Sequence, residues 1–311
     1  MSLILLVVIL TACSGEVSDE PGVRDLTRSY ALPPDGGFQL VTPDLEVQPF
    51  SEVFWCYYGT WSEPDVGVDF AQPLFSAYNH HAFVQTASIE DPPDGTTIEC
   101  TDSAGMIDTQ PLFELTGSSV TDDGNYLPLP PDTAIRLSEG QRWVIESHFV
   151  NPTPDILLVN TAFNFGTTPV EEVEHWASSF EFDLGPPLIP NGGLHTEVFD
   201  CVFPNAVSII SLSGHMHGHG HSFTVDLVGG EGDTRIYEVE EWYEEYRDYP
   251  PMETWDLGEV ELSSSDSLRI TCTWDNNSGL ELAFPDEMCT AKGLAAPLDS
   301  PATCTSGDES P

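Results

Sequence analysis

Nine histidines are spread unevenly along this 311-residue chain. Four alternate in Gly214-His-Met-His-Gly-His-Gly-His-Ser222, two are adjacent at His80 and His81, and His148 stands alone in Glu146-Ser-His-Phe-Val-Asn-Pro-Thr153. Residues two apart on a strand share a face, so an imidazole pair at that spacing is a ready chelate for copper or zinc. Val207, Ile209, Ser211, Ser213, His215, His217, His219, His221, Phe223, Val225 and Leu227 have one parity. A single strand would carry them on one face, passing from apolar to imidazole and back. Gly218 and Gly220 are positioned to bulge that strand and turn His219 and His221 away. The plainer reading is a histidine-rich surface strip that picks up metal weakly. His80 and His81 point opposite ways in a regular strand, so joint ligation requires a bend. Taken alone, His148 reads as an ordinary core or surface histidine. Met288, in Phe284-Pro-Asp-Glu-Met-Cys289, reads as packing beside a disulfide.

The elements that must position these residues are strands. Runs such as Phe38–Val41, Ser51–Tyr58, His81–Ala87, Arg142–Val150, Leu157–Phe165, Val207–Leu212, Ser222–Val228, Thr234–Val239 and Ser267–Thr273 recur along the chain. Turn clusters separate them, among them Asp91-Pro-Pro-Asp-Gly95 and Gly229-Gly-Glu-Gly-Asp233. That spacing predicts an all-β protein built of antiparallel sandwiches. The one helical candidate is Val170–Ser179, followed by the Pro/Gly-rich stretch 186–193. A domain boundary is expected near residue 178, dividing an N-terminal domain, 38–178, from a C-terminal domain, 179–305. Glu241–Trp255 and Asp275-Asn-Asn277 are expected as cleft-lining loops.

Residues 1–13 combine a short apolar run with Leu10-Thr11-Ala12-Cys13, the form of a bacterial lipobox that would acylate Cys13. Residues 14–37 read as a flexible polar tether, and localisation at the cell envelope, periplasmic or surface, is expected. Eight Lys and Arg against 52 Asp and Glu leave a formal charge of −44. Such a surface repels phosphate backbones and anionic headgroups, which argues against nucleic acid and leaves the lipid anchor as the membrane contact. Its simplest meaning is solubility. Export favours disulfides over metal thiolates for Cys56, Cys100, Cys201, Cys272, Cys289 and Cys304, which contain no Cys-x-x-Cys pair. Six cysteines leave all 15 pairings open. Two precede residue 180 and four follow, so one bridge is expected in the first domain and two in the second.

In order, the chain presents His80-His81, then His148-x-x-Asn-Pro, then His215-x-His217-x-x-Gly220, then Asp286-Glu-Met-Cys289. That set resembles the copper type II, ascorbate-dependent monooxygenases, the family of peptidylglycine α-hydroxylating and dopamine β-monooxygenases. The resemblance runs from about residue 38 to Cys304. It implies two tandem, jelly-roll-like sandwiches, each holding one mononuclear copper ion, facing across a cleft. His80, His81 and His148 would bind the electron-relay copper. His215, His217 and Met288 would bind the catalytic, oxygen-activating copper. Cys56–Cys100, Cys272–Cys289 and Cys201–Cys304 would pair. The activity implied is hydroxylation of a C–H bond in a small organic substrate, with O₂ and ascorbate as partners. The alternative is a non-catalytic, copper-sequestering envelope lipoprotein. Ser213 and Lys292 stand where the peptide-amidating branch has Arg and Tyr, which argues against that substrate. His219, His221 and Glu146 receive no role.

Overall fold

In the computed structural model the described residues are 21–31, 37–100, 111–113, 129–230, 232–247 and 250–306, with 81 and 111–113 described by backbone alone. The leader expected at 1–13, with Cys13, lies outside them.

Alternation of apolar and polar residues builds the sheets. In Ser267–Asn276, Leu268, Ile270, Cys272 and Trp274 are buried, while Arg269, Thr271, Thr273 and Asp275 face outward. The same rule produces an all-β protein with sandwich-like sheets and, among the described residues, no α-helix. A five-stranded sheet centres on Ser51–Thr60, Arg142–Asn151 and Asn79–Thr86. A four-stranded sheet runs in the order Gly193–Cys201, Ser267–Asn276, Gly220–Val228, Thr234–Val239. Both pack on a ten-stranded sheet, in which His175–Asp183, Val207–His215 and Thr290–Ala296 give side chains to both cores.

The two sandwiches are joined more closely than two tandem domains would be. Residue 178 falls inside the strand His175–Asp183. That strand pairs in parallel through His175–Ala177 with Thr133–Ile135, and antiparallel through Ser178–Asp183 with Thr290–Ala295. The expected helix at Val170–Ser179 is replaced by a 3₁₀ turn at Val170–Glu172 and the start of this strand. The core of the first sandwich, with Val68, Ile145, Phe163 and Phe165, takes in Ile210, Leu294 and Ala296 from the second half of the chain. Ile209, the neighbour of Ile210, lies in the other core with Leu212, Met216, Phe223 and Trp274.

Ile209 and Ile210 enter opposite cores by the ordinary alternation of a strand. The register then slips between Ile209 and Ser211. This bulge reverses the parity of the residues after it. Leu212, Gly214 and Met216 therefore take over the core-facing side from Val207 and Ile209. The expectation of one continuous face from Val207 to Leu227 fails at this point.

Three disulfides form: Cys56–Cys100 in the first half, Cys201–Cys304 and Cys272–Cys289 in the second. They mark the chain as exported from the reducing cytoplasm. Part of the stretch expected as a tether is laid along the first sandwich. Val23–Asp25 pairs in parallel with Ile156–Leu158, and the Arg28 N–H donates to Asn160 Oδ1 at 3.0 Å.

Candidate functional site

The histidine-rich run is a crossing between sheets rather than a strand. Val207–His215 ends in the ten-stranded sheet, residues 216–219 turn, and Gly220–Val228 begins in the four-stranded sheet. Two glycines and a methionine fix the crossing. A Cβ on Gly214 would lie 2.5 Å from the Phe223 ring, and one on Gly220 would lie 2.5 Å from both Met216 Cε and Trp242 Cδ1. Met216 is fully buried between them. With 214 and 216 turned inward, His215 and His217 fall together on the other side, their ring centres 5.3 Å apart and nearly perpendicular.

The segment bearing Met288 is bolted to this crossing. Glu287, 0% exposed, accepts the His217 N–H at 2.9 Å, the His219 N–H at 2.5 Å and the Trp274 Nε1–H at 3.1 Å. The Cys272–Cys289 bridge anchors the other side of Met288. His217 Nδ1 lies 3.2 Å from the Asp286 carbonyl oxygen. A carbonyl only accepts, so Nδ1 carries the proton and Nε2 the lone pair. That tautomer is the one a metal-binding imidazole needs. Metal–nitrogen bonds of about 2.0–2.1 Å place two imidazole centres on one ion roughly 4.5–6 Å apart. The 5.3 Å separation of His215 and His217 therefore suits a shared ion.

Beyond the pair the backbone is pinned at His219 and kinked at His221. The carbonyl of His219 accepts the Asp275 N–H at 2.9 Å, and His221 sits at a register slip between Gly220 and Ser222. Lys292, the chain's single lysine, stands opposite Ser213 on one side and Glu181 on the other. One step along the same sheet, His215 is opposite Thr290 and Thr290 opposite Asp183. Burial holds the Asp183 carboxyl above the usual carboxylate range, against the pull of the Gly185 N–H, which donates to it at 2.7 Å.

In the first sandwich the required bend is present. His148 pairs with His81 and Phe149 with Asn79, so the register passes over His80. Tyr78, at φ 70°, makes the tight turn that begins the irregularity. Asn79 is held there by its Nδ2 donation to Thr161 Oγ1 at 2.7 Å. The His80 ring comes to 5.1 Å from that of His148, at 80°. His81 is opposite His148 in the backbone register, and its side chain is outside the described residues. Phe54 stacks on His148 at 4.0 Å, and Glu52 Oε1 lies 2.7 Å from His148 Nε2. Asn151 of the His-x-x-Asn-Pro stretch is a turn former, its Nδ2 donating to the carbonyls of Val47, Gln48 and Asp155. Glu146 pairs with Cys56 and lies against the Cys56–Cys100 disulfide.

Glu52 and Glu287 are the residues that sequence reasoning missed. Nothing in the sequence marks Glu52, which reaches His148 only through strand pairing. Glu287 had a signal: it sits between Asp286 and Met288, in the stretch that carries the candidate thioether. Among the described residues, three His, Cys, Asp or Glu ligand atoms come within 4.8 Å of one another at Cys56, Cys100 and Glu146, and those cysteines are spent in a disulfide. Trp242, expected to line a cleft, is a core residue. Trp255 does line a cavity of about 320 Å³ with Leu129, Pro130, Pro131, Thr254, Asp256 and Glu259, none of them a candidate ligand.

No family model matches the chain, and no curated protein matches it. Among solved structures, a recombinant N-glycanase F (PNGase F) is similar at 9% identity and a TM-score of 0.37, over 87% of this chain and 98% of that one. PNGase F of Flavobacterium meningosepticum, a glycosylasparaginase, gives 9% and 0.34 over the same shares. The STIV MCP gives 6% and 0.31, over 84% of this chain and 92% of that one. Likeness at this level carries no activity across to this chain.

These findings correct the expectation of a copper monooxygenase. Among the similar structures are a glycanase and the STIV MCP, and neither a family model nor a curated relative supports the assignment. The resemblance rested on four motifs of only a few residues each, and one of them, His-x-x-Asn-Pro, owes its Asn to a turn. The oxygenase activity is withdrawn with it, as is the copper-sequestering alternative. O₂ and ascorbate entered only through that resemblance and are carried no further.

Proposed function

We propose that this exported protein binds a transition-metal ion between His215 and His217, with Met288 as the third ligand. The observation that carries the reading is the hydrogen bond from His217 Nδ1 to the Asp286 carbonyl, which leaves Nε2 as the ligand atom. The same bond ties His217 to the segment that bears Met288. Imidazoles with a thioether suit copper, so copper is the ion to test first. The His80–His148 pair, with His81, is proposed as a second and independent copper site. The proposal concerns the ligand sets alone and assigns neither a reaction nor a copper-storing role.

The test is a titration of the purified, disulfide-bonded protein with Cu(I), Cu(II) and Zn(II) against competing chelators. Loss of one equivalent of tight binding in His217→Ala, with the melting temperature kept, supports the site. Equal binding by wild type and variant overturns it.

We also propose that Cys13 is acylated, so that the protein is tethered to the envelope by lipid alone. With a charge of −44, the folded part would be repelled by anionic headgroups. Cys13→Ala should move the protein from the membrane to the soluble fraction. Retention of that variant on membranes counts against the anchor.

A further inference from the structure

Glu287 is wholly enclosed beneath the residue 216–219 turn, 0% exposed, in direct contact with the candidate site. Its oxygens accept from the backbone N–H groups of His217 and His219 and from Trp274 Nε1–H. All three donors are neutral, so they solvate the carboxylate without cancelling its charge. Buried anions of this kind are costly unless a positive charge comes to them. The neighbouring residue in the chain is Met288, and the backbone of His217 is its direct partner.

We infer that Glu287 is the positioning residue of the His215–His217 site and that its buried charge makes the site favour divalent over monovalent ions. The inference rests on that site binding a metal at all. Two effects are separable. As a hydrogen-bond acceptor, Glu287 fixes the His217–His219 backbone against the Met288 segment, which acts on every ion alike. As a fixed charge, it attracts an ion in proportion to the ion's own charge. A role confined to holding the fold would produce the first effect alone.

The experiment measures Cu(I) and Cu(II) affinities of the full chain, with the metals alone as probes, for wild type, Glu287→Gln and Glu287→Asp. Glu287→Gln removes the charge and keeps an acceptor. It is expected to weaken Cu(I) about tenfold and Cu(II) about a hundredfold. The tenfold change in their ratio corresponds to a rise of about 59 mV in the one-electron potential of the bound copper. Glu287→Asp keeps the charge on a shorter arm, so both affinities should fall while their ratio stays at the wild-type value. If Glu287→Gln does not fold, Glu287→Met, neutral and of similar volume, takes its place, and an unchanged Cu(II)/Cu(I) ratio there overturns the charge role. Equal losses for both ions in Glu287→Gln, or no loss, overturn the inference and leave the site standing. Absence of binding in the wild type removes the site itself.

Discussion

Gly214 lies directly against the ring of Phe223: a Cβ at 214 would stand 2.5 Å from Cδ1 and 2.6 Å from Cγ. Phe223 is fully buried and cannot retreat, so the glycine is required by packing. Gly214→Ala is expected to cost about 1–3 kcal/mol, the usual range for overpacking. Because 214 precedes His215, the same change should also weaken metal binding at the His215–His217 pair. Thermal melts and a copper titration on one sample check both. A variant with wild-type stability would show that the contact is looser than described.

How much of this is legible in the sequence depends on whether a residue's neighbours lie along the chain or across it. The strands are legible, because alternation such as that of Leu268, Ile270, Cys272 and Trp274 is local. Thr234–Val239 agrees at both ends, whereas the run expected at Leu157–Phe165 is two strands, Ile156–Val159 and Thr161–Pro169, in different sheets. Parity alone assigns the face of His215, and the slip between Ile209 and Ser211 breaks that parity. The slip is defined against Thr290–Ala296, a partner some eighty residues away, and leaves no mark in the run itself. The crossing at 216–219 has a visible cue in Gly218 and Gly220, and the bulge expected there occurs at His221. Glu52 is invisible for the same reason as the slip: its link to His148 spans 96 residues.

The Cys272–Cys289 bridge joins residues 17 apart and fixes the chain immediately after Met288. A loop of that size is stabilised by about 3 kcal/mol on the chain-entropy account. Cys272→Ala/Cys289→Ala is therefore expected to lose about that much stability in a denaturant titration. It should also lose affinity for Cu(I) more than Cys201→Ala/Cys304→Ala does, since no candidate ligand adjoins that second bridge. Equal effects of the two pairs on copper would mean that Met288 needs no covalent support.

Asp183 gives a pH dependence of known sign. Burial raises its native-state pKa, so the folded chain holds the proton more tightly than the unfolded chain. Its contribution to stability is then present at acid pH and is lost as pH rises through the native value. Asp183→Asn keeps an oxygen to accept the Gly185 N–H and removes the ionisation. The variant should be more stable than wild type at neutral pH, and the two should converge at acid pH. Parallel stability curves across that range would place Asp183 outside the pH response.

The pairing of Glu52 with His148 bears on the second proposed site. A carboxylate oxygen 2.7 Å from His148 Nε2 accepts a hydrogen bond from its N–H, which fixes the ring's tautomer and its orientation. Phe54, stacked on the same ring at 8°, holds the plane from the other side. Carboxylates that orient metal-bound imidazoles in this way contribute roughly 10–100-fold to affinity. Glu52→Ala should therefore weaken one of two bound copper ions by that factor and leave the His215–His217 ion untouched. The glutamate is well exposed, with 62% of its side chain open, so the variant is expected to fold with little change in melting temperature. Copper counted per chain after dialysis against graded chelator separates the outcomes. A two-step release whose weaker step moves in Glu52→Ala supports the second site, and a single step identical in both proteins removes it.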